Sequence, residues 1–330
     1  MAPCFHSFRG DNSVILSVCC VIALYYIIMD MILYYTLHNT SLVKEASIND
    51  PSRFSPFHPL TIRLLVLDQT NHYIIRPSTD VFNYMTDFSK VFSFISPNII
   101  SVTHAVISIV VGKMVSSDNL RHRQMGTFFF ELRTWLVSFA GVVFRSQAGR
   151  PIFSSFHGMY GTTLNSVCDI IGGVSLCVGV CVYAVRHYGR RRPNEEFVGK
   201  GLNVHVPSNR MIVFNIFLYA LLVVLSYGFL GYFVMHLERF LETPFPDSQL
   251  TTVQTTLLHA SSTWLFLWMW RFFTQQMFQY LVIAIAMDKI WDYVSTSLYF
   301  FYPTVITLMS LCYIYIVHMN SIILGGEFTS

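Results

Sequence analysis

Charge is scarce in this chain: of 330 residues only 12% are Asp, Glu, Lys or Arg, where soluble domains carry about 25%. The shortage excludes an ordinary soluble enzyme, and a net charge of +3 spread thinly along the sequence gives nucleic acid no basic surface to bind. Disulfide and zinc frameworks are missing too. Of seven cysteines, Cys19, Cys20, Cys168, Cys177, Cys181 and Cys312 lie in apolar runs and Cys4 sits near the terminus, with no paired CxxC or HxxxH spacing. They read as small packing residues. No phosphate loop is present, a lone "GKM" at 112–114 being too little. There is no "SGH" histidine of the lipid-phosphatase type, and "GRP" at 149–151 is the nearest fragment. Two similar halves with broken spans, expected of a transporter, are also lacking.

Hydrophobic residues are abundant, 53% of the chain. They fall in seven runs near 14–36, 99–116, 127–144, 161–186, 211–235, 254–286 and 298–324, and about 20 residues suffice to cross a bilayer. The fold class is therefore an all-α polytopic membrane helix bundle. The sixth run is too long for one straight helix and contains Arg271, Gln275, Gln276 and Gln279, which predicts a break or a polar-faced extension. The first follows Arg9 without a small-residue cleavage site and reads as an uncleaved anchor. Its Asp30 is expected to snorkel or to make an interhelix contact. Residues 38–98 mix apolar patches with Pro51, Pro56, Pro59, Pro77 and Pro97, which predicts short helices at the membrane surface. The chain thus divides into a tail and anchor (1–37), a lumenal interfacial region (38–98), a six-helix core (99–324) and a short tail (325–330).

Sidedness follows from lysine and arginine, which accumulate in short cytoplasmic loops. One side holds Arg9, Lys113, Arg121, Arg123, Arg186, Arg190, Arg191, Arg192, Lys200, Arg210 and Lys289; the other, leaving out the long loop, holds Arg145, Arg150 and Arg239. The first side is cytoplasmic on this rule, so the 145–160 loop faces the lumen. The sequon Asn39-Thr40-Ser41 falls on the lumenal side but hugs the first span, which argues against glycosylation. The basic cluster at 186–192 is also compatible with an anionic-lipid contact.

One acid, Asp169, lies within the fourth run, where a carboxylate costs several kcal/mol and is functional by default. Reading back from it gives Gly161-xxx-Asn165-xxx-Asp169, spacings that stack on one helix face. The third run ends "VSFAGVVFR", with Gly141 and Arg145. Together these fragments resemble the signature of CDP-alcohol phosphotransferases. "SPNIIS" (96–101), "ELRTWL" (131–136) and the gap between Arg145 and Gly161 make it similar to the insect-type ceramide phosphoethanolamine synthases, over roughly residues 60–320.

The resemblance implies a Golgi enzyme with its site facing the lumen, transferring phosphoethanolamine from CDP-ethanolamine to ceramide in sphingolipid synthesis. It implies Asp169 as the catalytic base, Gly141, Arg145 and Gly161 as substrate-binding positions, Asn165 at a metal-ligand position, manganese or magnesium as cofactor, and a homodimer. Two metal ions would neutralise the leaving phosphate while a carboxylate deprotonates the alcohol.

Departures from the pattern are equally plain. The family's four acids read Val137, Ala140, Asn165 and Asp169 here, and Phe144 replaces a small residue. A hard cation wants several oxygen ligands, so the usual metal pair is not expected. Glu131 is a poorly placed substitute, more at home in a contact with Arg133 or a neighbouring helix. His157 is of a type manganese accepts but reads as a solvated loop residue; His104 and His259 read as interhelix hydrogen-bonding groups. Arg145 is suited to a bidentate phosphate contact or to interfacial snorkelling. Asp169 is then either a working base or a relic carboxylate held by Asn165 or a cation such as Arg145. Two functions follow: an active transferase, or a non-catalytic paralogue that binds lipid or regulates an active homologue.

Overall fold

The computed structural model describes residues 10–39, 56–57, 60–148, 158–189, 208–243 and 248–327. Helices α1 (Gly10–His38), α5 (Pro97–Val115), α6 (Leu120–Ala148), α7 (Gly158–Gly189), α8 (Asn209–Leu241) and α12 (Ile290–Glu327) form the bundle. Between α1 and α5 come the short α2 (Ile62–Leu65), a π turn (Asn71–Ile75), α3 (Arg76–Thr86) and α4 (Phe88–Val91). Between α8 and α12 come α9 (Ser248–Leu258), α10 (Ser261–Trp270) and α11 (Gln275–Ala286). No strand occurs among the described residues. The all-α polytopic class is as the composition requires.

Caps set several of these helices. Ser96 accepts from the Ile99 N–H with Pro97 in the first turn, and Ser208 accepts from the Met211 N–H. Among the described residues six helices, not seven, are long and apolar enough to cross a membrane. The sixth apolar run is the exception, because it breaks at Arg271–Thr274, where Thr274 takes φ 67°. At about 1.5 Å per residue neither α10 nor α11 spans alone. The polar residues flagged in the sequence sit at this break: Arg271 is fully buried, and Gln276 and Gln279 are buried on α11.

Residues 60–91 form short helices, as expected; the stretch 60–75, with Thr79, turns one face into the bundle, while Tyr84, Met85 and Val91 stay exposed. Leu60, Ile62, Leu65, Asp68, Gln69, His72 and Thr79 are all buried, and the apolar ones join the same core as Phe233, Leu237 and Leu241 of α8. The reason is polar as well as apolar. Asp30 of α1 accepts hydrogen bonds from Gln69 Nε2 (2.9 Å), Tyr73 Oη (2.6 Å) and Trp268 Nε1 (2.9 Å), with Arg271 Nη2 at 3.3 Å. A buried carboxylate needs this many donors, and they tie α1, the 60–91 segment and α10 into one unit. Asp30 is the interhelix contact of the two roles expected for it.

Helix α5 packs along both α6 and α7, while α6 and α7 make little direct backbone contact. Two glycines draw α5 and α7 together: a Cβ on Gly112 would lie 2.5 Å from the Ser175 carbonyl oxygen, and one on Gly179 would strike the Gly112 carbonyl. Such close approach is how small residues join helices in lipid. Across from that seam, α6 and α7 run antiparallel and face each other over a gap.

Candidate functional site

The gap between α6 and α7 is crossed by one long side chain. Arg133 Nη2 of α6 donates to Asp169 Oδ1 of α7 at 2.6 Å. Arg133 is buried, 6% exposed in its side chain, whereas the Asp169 side chain is 39% exposed. Asn165, one turn earlier on α7, donates from Nδ2 to Asp169 Oδ2 at 3.1 Å, and Ser101 of α5 donates to Asn165 Oδ1 at 3.2 Å. His104 is fully buried beside Asn165, with neither ring nitrogen in a well-formed hydrogen bond. The polar wall therefore runs Ser101, Asn165, Asp169, Arg133, and each carboxylate oxygen of Asp169 has a donor.

Room for the Arg133 guanidinium comes from Gly172, where a Cβ would stand 2.5 Å from Nη2. The cation holding Asp169 is thus Arg133 and not Arg145, because α6 turns position 133 toward α7 and position 145 elsewhere. Arg145 meets Asp80 of α3 at 3.8 Å instead. Glu131 does not contact Arg133: its Oε2 accepts from Gln279 of α11 at 3.3 Å, the neighbouring-helix alternative, and its Oε1 has no partner. His259 stacks on His38 with ring centroids 5.3 Å apart. Gly141 lies on α6 two turns beyond Arg133, and Gly161 lies in the first turn of α7, two turns before Asp169. His157, Arg150 and the Arg190–Arg192 cluster lie outside the described residues.

A divalent metal pair does not fit the donors present. Val137 and Ala140 offer hydrocarbon, Asn165 spends its carbonyl oxygen on Ser101 and its amide on Asp169, and Asp169 faces a guanidinium. Among the described residues no group of three His, Cys, Asp or Glu side chains could hold an ion. Hard cations require several oxygen ligands, preferably charged, and here a fixed cation already occupies that side of the carboxylate.

Helix α3 lies against α6 on the other side. Trp135 Nε1 donates to Ser78 Oγ at 3.1 Å, the Thr79 and Ser138 hydroxyls are 3.3 Å apart, and Phe82 packs edge-on against Trp135 and Phe139. This docking brings Arg76 and Asp80, one turn apart, up to Arg145. Burial pushes the Asp80 carboxyl up, opposed by Arg145 and Arg76. Burial, then the Arg145 charge, lowers the Arg76 guanidinium to about 10. Nothing in the residue pattern of 38–98 announced these two; an i, i+4 Arg–Asp pair next to Pro77 was the available signal.

The family profile described as "Ceramide phosphoethanolamine synthase" matches residues 11–325. The chain is 27% identical over 269 residues to the Drosophila melanogaster protein "Ceramide phosphoethanolamine synthase", covering 78% of this chain and 67% of that one. No solved structure matches. With nearly its whole length matched, the chain belongs to the ceramide phosphoethanolamine synthase family.

Proposed function

We propose that the protein transfers phosphoethanolamine from CDP-ethanolamine to ceramide, as the name of its Drosophila relative states of that protein, at the lumenal face of the Golgi membrane. The observation that carries the reading is Asp169: it stands on the wall of the α6–α7 gap, part exposed, with both oxygens held in place by Arg133 and Asn165. In this scheme the ceramide hydroxyl oxygen attacks the phosphorus that bears ethanolamine. The bond from that phosphorus to CMP breaks, CMP leaves, and the hydroxyl proton passes to Asp169. Arg133 and Asn165 fix the orientation of the carboxylate and no step is routed through a metal. The lysine and arginine asymmetry supports lumenal sidedness.

Membranes expressing the protein, given CDP-ethanolamine and fluorescent ceramide, should form ceramide phosphoethanolamine. Asp169→Asn should lower the rate by about 100-fold or more, the usual scale for a general base.

The Arg133–Asp169 pair also favours a second reading, a paralogue that keeps the lipid site without turning substrate over. A guanidinium against the carboxylate, with hydrocarbon at 137 and 140, is what a retired metal site would look like. Under that reading the wild type makes no product, and Asp restored at 137, 140 and 165 makes it appear.

A further inference from the structure

The ion pair that bridges the α6–α7 gap leaves much of its guanidinium unused. Arg133 reaches the Asp169 carboxylate through Nη2 at 2.6 Å. Its Nε is buried without an acceptor, and Nη1 has no acceptor among the described residues. The opposing helix is shaped to receive this group: a Cβ at Gly172 would stand 2.5 Å from Nη2, 2.8 Å from Cζ and 2.9 Å from Nε. Arg133, Val137 and Ala140 fall at i, i+4 and i+7 on α6, so they share one face. That face brings Asp169 a fixed cation followed by hydrocarbon, and no oxygen of the kind a hard divalent ion needs.

Charge balance gives the cation a task. A hydroxyl donating to Asp169 sits about 2.6–3.2 Å from the carboxylate, and the phosphorus it attacks lies about 3–3.5 Å beyond. The donor's diphosphate is thus within about 7 Å of the carboxylate that Arg133 touches. Before transfer, carboxylate and guanidinium cancel. As the hydroxyl oxygen bonds to phosphorus, its proton neutralises Asp169, the phosphorus–oxygen bond to CMP breaks, and CMP keeps the electron pair. The Arg133 charge is then left uncompensated while negative charge builds on the leaving CMP. An interaction that strengthens along the reaction in this way lowers the barrier and not merely the ground state.

We propose that Arg133 supplies the positive charge of the transfer site in place of a divalent metal ion, so that this chain transfers phosphoethanolamine without metal. The inference rests on the transferase reading above.

The test uses membranes expressing the full chain, stripped with excess chelator and given CDP-ethanolamine and fluorescent ceramide, with and without added manganese. The Drosophila synthase with manganese is the assay control. Wild-type transfer in chelator should match that with manganese. Arg133→Gln should lower kcat by about 100-fold or more at unchanged KM for ceramide, the scale for removing a preorganised charge-stabilising donor. Arg133→Lys keeps the charge and should recover part of that loss. A second measurement needs no turnover: manganese titrated into the purified protein in detergent and followed by electron paramagnetic resonance should show no bound ion that Asp169→Asn removes. Wild-type product only with added manganese, wild-type kcat in Arg133→Gln, no recovery in Arg133→Lys, or a bound manganese lost in Asp169→Asn would overturn the inference while leaving the transferase reading in place. No product with or without manganese, beside an active Drosophila control, would sink the transferase reading and the inference with it.

Discussion

Arg271 is the residue with the most to lose from a neutral replacement. It is fully buried, lies 3.3 Å from Asp30, and donates to His72 Nδ1 at 3.0 Å. Arg271→Met leaves the Asp30 carboxylate without its cation, so unfolding in detergent should become easier by roughly 3–5 kcal/mol. A variant melting within a degree or two of wild type would contradict this. His72 carries a second expectation. Arg271 can only donate, so His72 Nδ1 accepts and Nε2 holds the proton given to the Pro56 carbonyl at 2.7 Å. Burial, then Arg271, holds the ring well below its usual value, with Arg76 acting the same way and the Pro56 contact opposing. The unfolded chain therefore takes up a proton below about pH 6.5 that the fold refuses, and stability falls as pH drops through that range. Buried Asp68, its carboxyl pushed up by desolvation, works in the opposite direction. Comparing thermal midpoints of wild type and His72→Gln at pH 7.5 and 5.5 isolates the ring: the gap between them should narrow at pH 5.5, and a widening would refute the assignment. The sequence exposed Asp30, Arg133, Asp169 and Arg271 as ionisable residues in apolar runs. It did not tell which joins which, because partners on different helices are chosen by how each helix is rotated in the bundle. Hence Arg133, not Arg145, holds Asp169.

Helix-level expectations centre on two joints. The α5–α7 seam brings Gly112 and Gly179 onto opposing backbone that cannot move aside. Gly179→Val should cost roughly 1–3 kcal/mol by overpacking, while Gly228→Ala, with nothing within 4 Å of the added Cβ, should be tolerated. Equal stability of the two variants in a detergent melt would argue against the seam. The α10–α11 break rests on Thr274 at φ 67°, a conformation that a β-branched residue adopts at a cost. Thr274→Gly should raise stability by about 1 kcal/mol. Six of the apolar runs were legible as single helices because length and hydropathy suffice for that. The sixth was legible as interrupted from Arg271 and its glutamines. The inward packing of residues 60–75 was hidden, since its cause is a set of donors gathered around Asp30 from sequence positions 69, 73 and 268.

For the whole molecule, charge asymmetry predicts that an epitope inserted within 190–200 is cleaved by protease added to the cytoplasmic side of sealed microsomes. Protection there would reverse the proposed orientation and move the Asp169 gap's motif end to the cytoplasm. Family membership spans nearly the full chain, so the bundle belongs to one working unit. The most direct measurement is transfer of phosphoethanolamine from CDP-ethanolamine to fluorescent ceramide by membranes expressing this chain, run beside the Drosophila synthase and Asp169→Asn. The account predicts product from the wild type and a loss of about 100-fold or more in the variant. No wild-type product beside an active Drosophila control, or equal product from Asp169→Asn, would contradict it.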